Sequence, residues 1–69
     1  MRVRVVRFPR PNVPQEIDLA EGATAEAAVR AVGAHPDMVL VVRAGTAIPL
    51  DAALSDEEEL RLVTVSSGG

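Results

Sequence analysis

The sequence predicts a small α+β domain in which one short helix packs on a mixed sheet of four to five strands. Three observations support this prediction. Valine-rich segments with period-two alternation lie near both ends of the chain, a segment with helical spacing lies between them, and a proline-rich stretch separates the first two strands. The chain has 69 residues, which is enough for one domain of modest stability. We assign residues 1–65 to this domain and residues 66–69 to a flexible tail.

A hairpin is predicted at the start of the chain. Residues 1–8 alternate apolar and charged side chains and read as a strand. Three prolines in residues 9–14 remove backbone donors and fix φ, so a stiff loop is expected there, and residues 16–19 form the returning strand. The side chains expected to face the core from this hairpin are Met1, Val3, Val5, Ile17 and Leu19.

The helix is predicted to run from Ala25 to about Val32, with Thr24 as its N-cap. Gly33 provides the C-terminal stop, and Pro36 disfavours helical geometry at the residue before it. One apolar stripe is expected to pack on the sheet, made of Ala25, Ala28, Val29 and Val32.

Three further strands follow the helix. Residues 38–43 form a nearly continuous apolar run that is typical of an interior strand, residues 46–48 form a brief strand that ends before Pro49, and residues 59–65 form the last strand. Residues 55–58 have the spacing of a capping box and predict a single helical turn. The leucines expected in the core are Leu50, Leu54, Leu60 and Leu62.

The order of strand, strand, helix, strand, short strand and strand is that of a β-grasp fold. A single helix covers one face of the sheet and leaves the other face wet or available for partners. Apolar and basic side chains point outward near the end of the last strand, and we take them as a candidate partner-docking surface: Val6, Phe8, Arg61, Val63 and Val65. The alternative is that these side chains lie together without a function.

Composition excludes several classes of function. The net charge of −3 and the pI of about 4.9 argue against direct binding of nucleic acid. The chain has no cysteine, so neither a disulfide framework nor a thiolate metal site is available. The first residues show no signal-peptide core, and no segment could span a membrane, so we expect a cytoplasmic protein.

All seven basic residues are arginine, so no side-chain amine is present for acylation.

The last four residues are Ser66, Ser67, Gly68 and Gly69, and they follow directly on the last predicted strand. Because glycine has no Cβ, this pair would let the backbone pass close to another molecule, and four extended residues span roughly 13 Å. We therefore take Gly68 and Gly69 as the candidate reactive end. The alternative is a linker remnant. We expect His35 to be a loop residue without a catalytic role, and the acidic run 56–59 to be solvated rather than metal-binding. The alternative for the acidic run is that it steers docking onto a basic surface of a partner protein.

With this architecture and this ending, the chain resembles the ubiquitin-like sulfur carriers and modifiers of prokaryotes. This is the ThiS/MoaD-like family, which includes the tRNA-thiolation carriers and the small archaeal modifier proteins. The resemblance rests on residues 39–45, residues 54–61 and the final Gly68-Gly69. The chain lacks the aromatic and proline residues often seen before the glycines of MoaD-type members, and its approach through Val65 is closer to thiamine-type and tRNA-thiolation carriers.

The resemblance implies a protein cosubstrate rather than an enzyme. An E1-like adenylating enzyme would use ATP to activate the carboxylate of Gly69, and a sulfur donor would then convert it to a thiocarboxylate for a sulfur-accepting enzyme. No cofactor bound to this chain is implied. Some relatives are also conjugated to target lysines as protein modifiers. Activation is needed because a terminal carboxylate is ionised at neutral pH and is a poor acyl donor.

Two other functions remain open at this point. One is a non-catalytic β-grasp interaction module with an inert tail, and the other is a tightly bound small subunit of a cofactor synthase. For a sulfur carrier, the sulfur could go to tRNA, to thiamine or to molybdopterin, because relatives with the same fold and tail serve each of these pathways.

Overall fold

A computed structural model describes residues 1–65 of the chain. The elements are β1 (Arg2–Phe8), β2 (Pro14–Asp18), α1 (Ala25–Ala31), a short 3-10 turn (Pro36–Met38), β3 (Val39–Arg43), β4 (Thr46–Ile48) and β5 (Glu58–Thr64). The predicted element order and the α+β class are confirmed. The predicted tail, residues 66–69, lies outside the described residues.

The strands form one five-stranded mixed sheet in the order β2-β1-β5-β3-β4. The first and last strands pair in parallel at its centre, with Val5 opposite Leu60, and the other neighbouring pairs are antiparallel. The edge strand β2 begins at Pro14, where the missing N–H disrupts no ladder on the outer side. β3 lies between β5 and β4, which confirms it as an interior strand.

The core lies between α1 and one face of the sheet. β1 and β5 contribute Val3, Val5, Leu60 and Leu62, each at most 1% exposed. The helix contributes the small side chains of Ala25, Ala28 and Val29, all of them fully buried. The full set of buried apolar residues is Val3, Val5, Ala25, Ala28, Val29, Ala34, Val41, Leu54, Leu60 and Leu62, with Met1, Ile17, Leu19, Val32, Val39, Ile48 and Leu50 packed around it.

The start of α1 is stabilised differently from the prediction. Thr24 occupies the N-cap position in extended geometry, but its side chain makes no capping hydrogen bond. Instead the backbone N–H of Ala25 donates to the carbonyl of Ala52 at 2.9 Å, and that of Glu26 donates to the carbonyl of Leu50 at 2.9 Å. Two residues that lie 24 to 27 positions further along the chain therefore satisfy two of the N–H groups that every helix leaves free at its first turn.

The end of α1 follows the prediction closely. Gly33 has a φ of +80°, its N–H donates to the carbonyl of Arg30, and the N–H of Ala34 donates to the carbonyl of Val29. This pair of bonds is a Schellman motif, for which glycine is the favoured residue in the left-handed conformation. The Arg7 guanidinium also donates to the carbonyl of Val32 at 3.3 Å, which places a positive charge at the negative end of the helix.

The predicted helical turn at residues 55–58 is wrong. The segment is a tight turn in which Glu57 has a φ of +64°, and β5 begins directly at Glu58. One half of the capping box is nevertheless present, because the Glu58 carboxylate accepts a hydrogen bond from the Ser55 N–H at 2.7 Å. The turn reverses the chain into a strand that is held by β1, so tertiary pairing overrides the local preference for a helix.

The same Glu58 carboxylate joins three parts of the molecule. Its second oxygen accepts from the Arg43 guanidinium at the end of β3, at 2.8 Å, and Arg43 also donates to the carbonyl of Ala53 at 3.0 Å. The two side chains are 34% and 13% exposed, so this ion pair is largely shielded from water. The network therefore ties β3 and β5 to the loop that carries Leu54 into the core.

The remaining differences from the predicted boundaries are small. Met38 ends the 3-10 turn instead of starting β3. β2 runs over Pro14–Asp18 instead of residues 16–19, so Pro14 belongs to the strand and not to the loop, and β5 runs over Glu58–Thr64 instead of residues 59–65. No helix within residues 1–65 has the length and apolar character needed to cross a membrane.

We predict that Glu58→Ala lowers the free energy of unfolding by about 1 to 2 kcal/mol, because it leaves the partly buried Arg43 guanidinium and the Ser55 N–H without their acceptor. The matched control is Glu59→Ala, which removes the neighbouring but exposed carboxylate and should change stability by less than about 0.5 kcal/mol. Urea unfolding followed by circular dichroism measures both. Equal losses for the two variants would contradict the assigned role of Glu58.

Candidate docking face and carboxyl-terminal segment

The predicted reactive residues, Gly68 and Gly69, lie outside the described residues. The last described residue, Val65, follows directly on β5, the central strand of the sheet. Its N–H donates to the carbonyl of Met38 at 2.9 Å, so the backbone is fixed by a tertiary hydrogen bond just before the predicted tail.

The outward side chains named from the sequence lie on neighbouring strands. Val6 of β1 is directly opposite Arg61 of β5, and Phe8 is directly opposite Val63. Val65 continues the same alternation beyond the end of β5. Phe8 and Val65 are 43% and 42% exposed, and what makes them informative is that they lie beside other outward apolar side chains. The structure thus brings Val6, Phe8, Arg61 and Val63 together on the sheet face that the helix does not cover.

β3 adds two residues that the sequence analysis missed. Leu40 is opposite Val63 and is 45% exposed, and Val42 is opposite Arg61 and half-buried. The continuous apolar run in β3 concealed them, because its composition suggested burial on both faces. The single helix was the available signal, since one helix can cover only one face of the sheet. We call the set Val6, Phe8, Leu40, Val42, Arg61 and Val63 the outer apolar face.

The other half of the same sheet face is charged. Arg2 and Arg4 of β1 lie within ion-pair distance of carboxylates on β2, with Arg4 and Glu16 at 3.2 Å and Arg2 and Asp18 at 3.5 Å. These pairs are exposed and contribute little to stability. They neutralise one another and mark the boundary of the apolar half.

An open groove of about 750 Å³ borders the outer apolar face. Arg61 and Glu59 of β5 form one side, and Val42, Ala44 and Gly45 at the β3–β4 turn form the other. The paired side chains of Arg43 and Glu58 also line it. The groove is therefore partly apolar and has both a cationic and an anionic residue within reach of solvent.

His35 and the first residues of the acidic run lie apart from this face, whereas Glu58 and Glu59 line the groove that borders it. His35 is exposed in the loop before the 3-10 turn. The acidic run 56–59 lies at the start of β5, and the six steps of about 3.3 Å to Thr64 place it roughly 20 Å from the end of that strand. Within it, the Asp56 carboxylate accepts from the Arg2 N–H at 2.8 Å. No group of three or more potential metal ligands occurs among residues 1–65.

Comparison with known proteins agrees with this architecture. The profile of the ThiS family matches residues 3–69, which includes both final glycines. Among the curated proteins, none matches the chain.

Solved structures of archaeal proteins are similar over the whole fold. SAMP1 of Haloferax volcanii is 26% identical, with a TM-score of 0.77 over 100% of both chains. A second structure of this small archaeal modifier protein is 25% identical, with a TM-score of 0.76 over 94% of this chain and 98% of the other. The ubiquitin of Caldiarchaeum subterraneum shares the fold at 22% identity, with a TM-score of 0.74 over 100% of this chain and 98% of the other. The chain therefore belongs to the ThiS family, whose ubiquitin-like members are small carriers or modifiers rather than enzymes.

Proposed function

We propose that this protein is a sulfur carrier whose Gly69 carboxylate is activated by an E1-like adenylating enzyme. The observation that supports this most directly is the match of the ThiS family over residues 3–69, because it includes the final glycine pair as well as the domain. In the proposed reaction, the carboxylate attacks the α-phosphate of ATP and releases pyrophosphate. A sulfur nucleophile from a donor then displaces AMP and leaves a thiocarboxylate.

The composition of the chain determines where the sulfur is carried. Because there is no cysteine, the chain cannot hold a persulfide, and the sulfur must be attached to the carbonyl carbon of Gly69. Glycine suits this position because no Cβ obstructs the reacting carbonyl. ATP and the catalytic groups belong to the activating enzyme in this proposal, so this protein is its cosubstrate and needs no bound cofactor. The use of ATP is consistent with a reaction in the cytoplasm.

The docking surface in this proposal is formed by Val6, Phe8, Arg61, Val63 and Val65. These side chains lie on the open face of the sheet, at the end of β5 that leads into the tail. An enzyme bound to this face would receive the tail at its nucleotide site.

The destination of the sulfur is proposed to be tRNA thiolation or a thiamine- or molybdopterin-type pathway, through a separate sulfur-accepting enzyme. The similarity to SAMP1, which is named as a modifier protein, also supports conjugation of Gly69 to lysines of target proteins. Both functions begin with the same adenylated carboxylate, so one activation step can serve both.

Intact mass spectrometry of the protein isolated from its own organism tests the proposal. We expect a fraction of the molecules to carry the mass increase that results from replacing one carboxylate oxygen with sulfur. Fragmentation should assign this change to Gly69. An unmodified carboxylate in cells under every growth condition, including sulfur-limited growth, would instead support an interaction module with an inert tail.

We predict that Gly69→Ala abolishes activation and leaves the fold intact. A methyl group at the reacting residue obstructs the approach of the carboxylate to ATP, whereas the described core is built from residues 3–62. Exchange of labelled pyrophosphate into ATP by the cognate adenylating enzyme measures activation, and circular dichroism measures folding. Ser66→Ala, which keeps both glycines, is the control and should remain active. Full exchange by Gly69→Ala would refute the assignment.

We also predict that self-conjugation cannot build a side-chain-linked polymer. The chain contains no lysine, so none of its side chains offers an amine to the activated carboxylate of a second copy. Conjugation reactions with the complete enzyme system should give single additions to each target lysine. A variant with Arg30→Lys on the exposed helix surface provides the positive control for detection. If peptide mapping found copies of the wild-type chain joined through an internal side chain, the prediction would be disproved.

A further inference from the structure

Arg61 lies in the middle of the outer apolar face. Val6 of β1 is its direct neighbour on one side and Val42 of β3 is its direct neighbour on the other. Val63, two residues later on β5, has the same relation to Phe8 and Leu40. An exposed guanidinium thus has apolar neighbours on three sides, which are themselves partly open to solvent, and Glu59 two residues earlier on the same strand.

Arg61 is one of three arginines that pair with no carboxylate among residues 1–65; the others are Arg7, which donates to the carbonyl of Val32, and Arg10, in the loop after β1. Arg61 differs from them in its position on the sheet face that the helix leaves open. Four arginines pair with carboxylates at 3.5 Å or less, and they are Arg2, Arg4, Arg30 and Arg43. Arg61 makes neither an ion pair nor a side-chain hydrogen bond with any residue in the range 1–65. The nearest carboxylate on the same face of β5 is Glu59, which lies two residues away, beyond ion-pair distance, on the groove side.

Most carboxylates of the chain lie away from Arg61. Asp56, Glu57 and Glu58 lie at the start of β5, and Glu16 and Asp18 lie on β2 beside Arg2 and Arg4. Glu59 is the one carboxylate of β5 on the same face as Arg61, and its direct neighbour on β1 is Arg4. A partner that approaches the apolar half of the sheet therefore meets a positive charge, although the net charge of the chain is −3. Complementary charge at such a surface favours one partner over others and fixes its orientation.

From these observations we propose that the surface recognised by this chain is apolar and carries a carboxylate side chain that pairs with Arg61. This inference rests on the proposed function and specifies its partner: the occupant is the docking face of the adenylating enzyme. The carboxylate would be bound between Val6 and Val42, where neighbouring apolar contacts exclude water and strengthen the ion pair. The open groove beside Arg61 gives the carboxylate access to the guanidinium.

The proposal is tested by charge reversal at three positions of the full chain. Arg61→Glu should weaken binding to the adenylating enzyme of the same organism by at least about tenfold, and Arg61→Gln should weaken it by a smaller factor, because only the former adds repulsion. Arg2→Glu, on the same sheet face, and Arg30→Glu, on the helix, change the net charge equally and should alter binding by less than about threefold. Isothermal titration calorimetry gives the dissociation constants, and circular dichroism shows that each variant folds.

The chemical step should respond differently from binding. In the pyrophosphate exchange assay, Arg61→Glu should raise the KM for this protein and leave kcat unchanged, because saturating protein restores the complex. The dissociation constant of the wild type should rise with salt more steeply than that of Arg61→Gln.

The possible outcomes separate this inference from the proposed function. Equal weakening by all three charge reversals, or unchanged binding of Arg61→Glu, overturns the role of Arg61 even if exchange occurs. Binding that depends on Arg61 without any exchange supports the docking inference and refutes activation at Gly69. If sedimentation shows that the wild type is a dimer and Arg61→Glu is a monomer, the face belongs to a second copy of the chain and the proposal is wrong.

Discussion

The parallel pairing of β1 with β5 is the interaction on which the rest of the structure depends. It joins the two ends of the described chain at the centre of the sheet, and its inward side chains, Val3, Val5, Leu60 and Leu62, form the middle of the core. Parallel neighbours cannot be connected by a tight turn, so the intervening chain must cross over the sheet. The helix, β3 and β4 all lie in that connection. The position of Val65 therefore depends on the pairing of β5 with β1 and on the hydrogen bond from Val65 to Met38.

One face of the sheet is open because the chain has only one helix within residues 1–65 to cover it. A chain of 69 residues has a single short helix, and this helix covers only the face that bears the leucines and valines of the core. The opposite face is divided into a half with paired charges and a half with apolar side chains around Arg61. The apolar half lies toward the end of β5, where the chain leads into its final residues. The proposed docking surface and the proposed chemistry are thus located at the same end of the domain.

Much of the fold was predictable because its signals are local. Period-two alternation gave β1 and β5 and their inward residues, and Gly33 gave the end of the helix, since only local backbone geometry is involved. Non-local contacts could not be read in the same way. The carbonyls of Leu50 and Ala52, and not the Thr24 side chain, accept hydrogen bonds from the first N–H groups of the helix. Pairing with β1 makes Glu58 the first residue of a strand, although residues 55–58 were expected to form a helical turn. In the candidate site, Leu40 and Val42 were missed because a uniformly apolar strand has no alternation to show which side chains face outward.

The alternation in β5 has a consequence for how this protein can change during evolution. Leu60 and Leu62 hold the domain together, and Arg61 and Val63, interleaved with them, face outward. Substitutions at the outward positions can alter the proposed docking surface at little cost to folding. Insertion or deletion of one residue within this strand would exchange the two sets, exposing both leucines and burying a guanidinium. Among descendants of this chain, the number of residues in β5 should therefore vary far less than the identities of its outward residues.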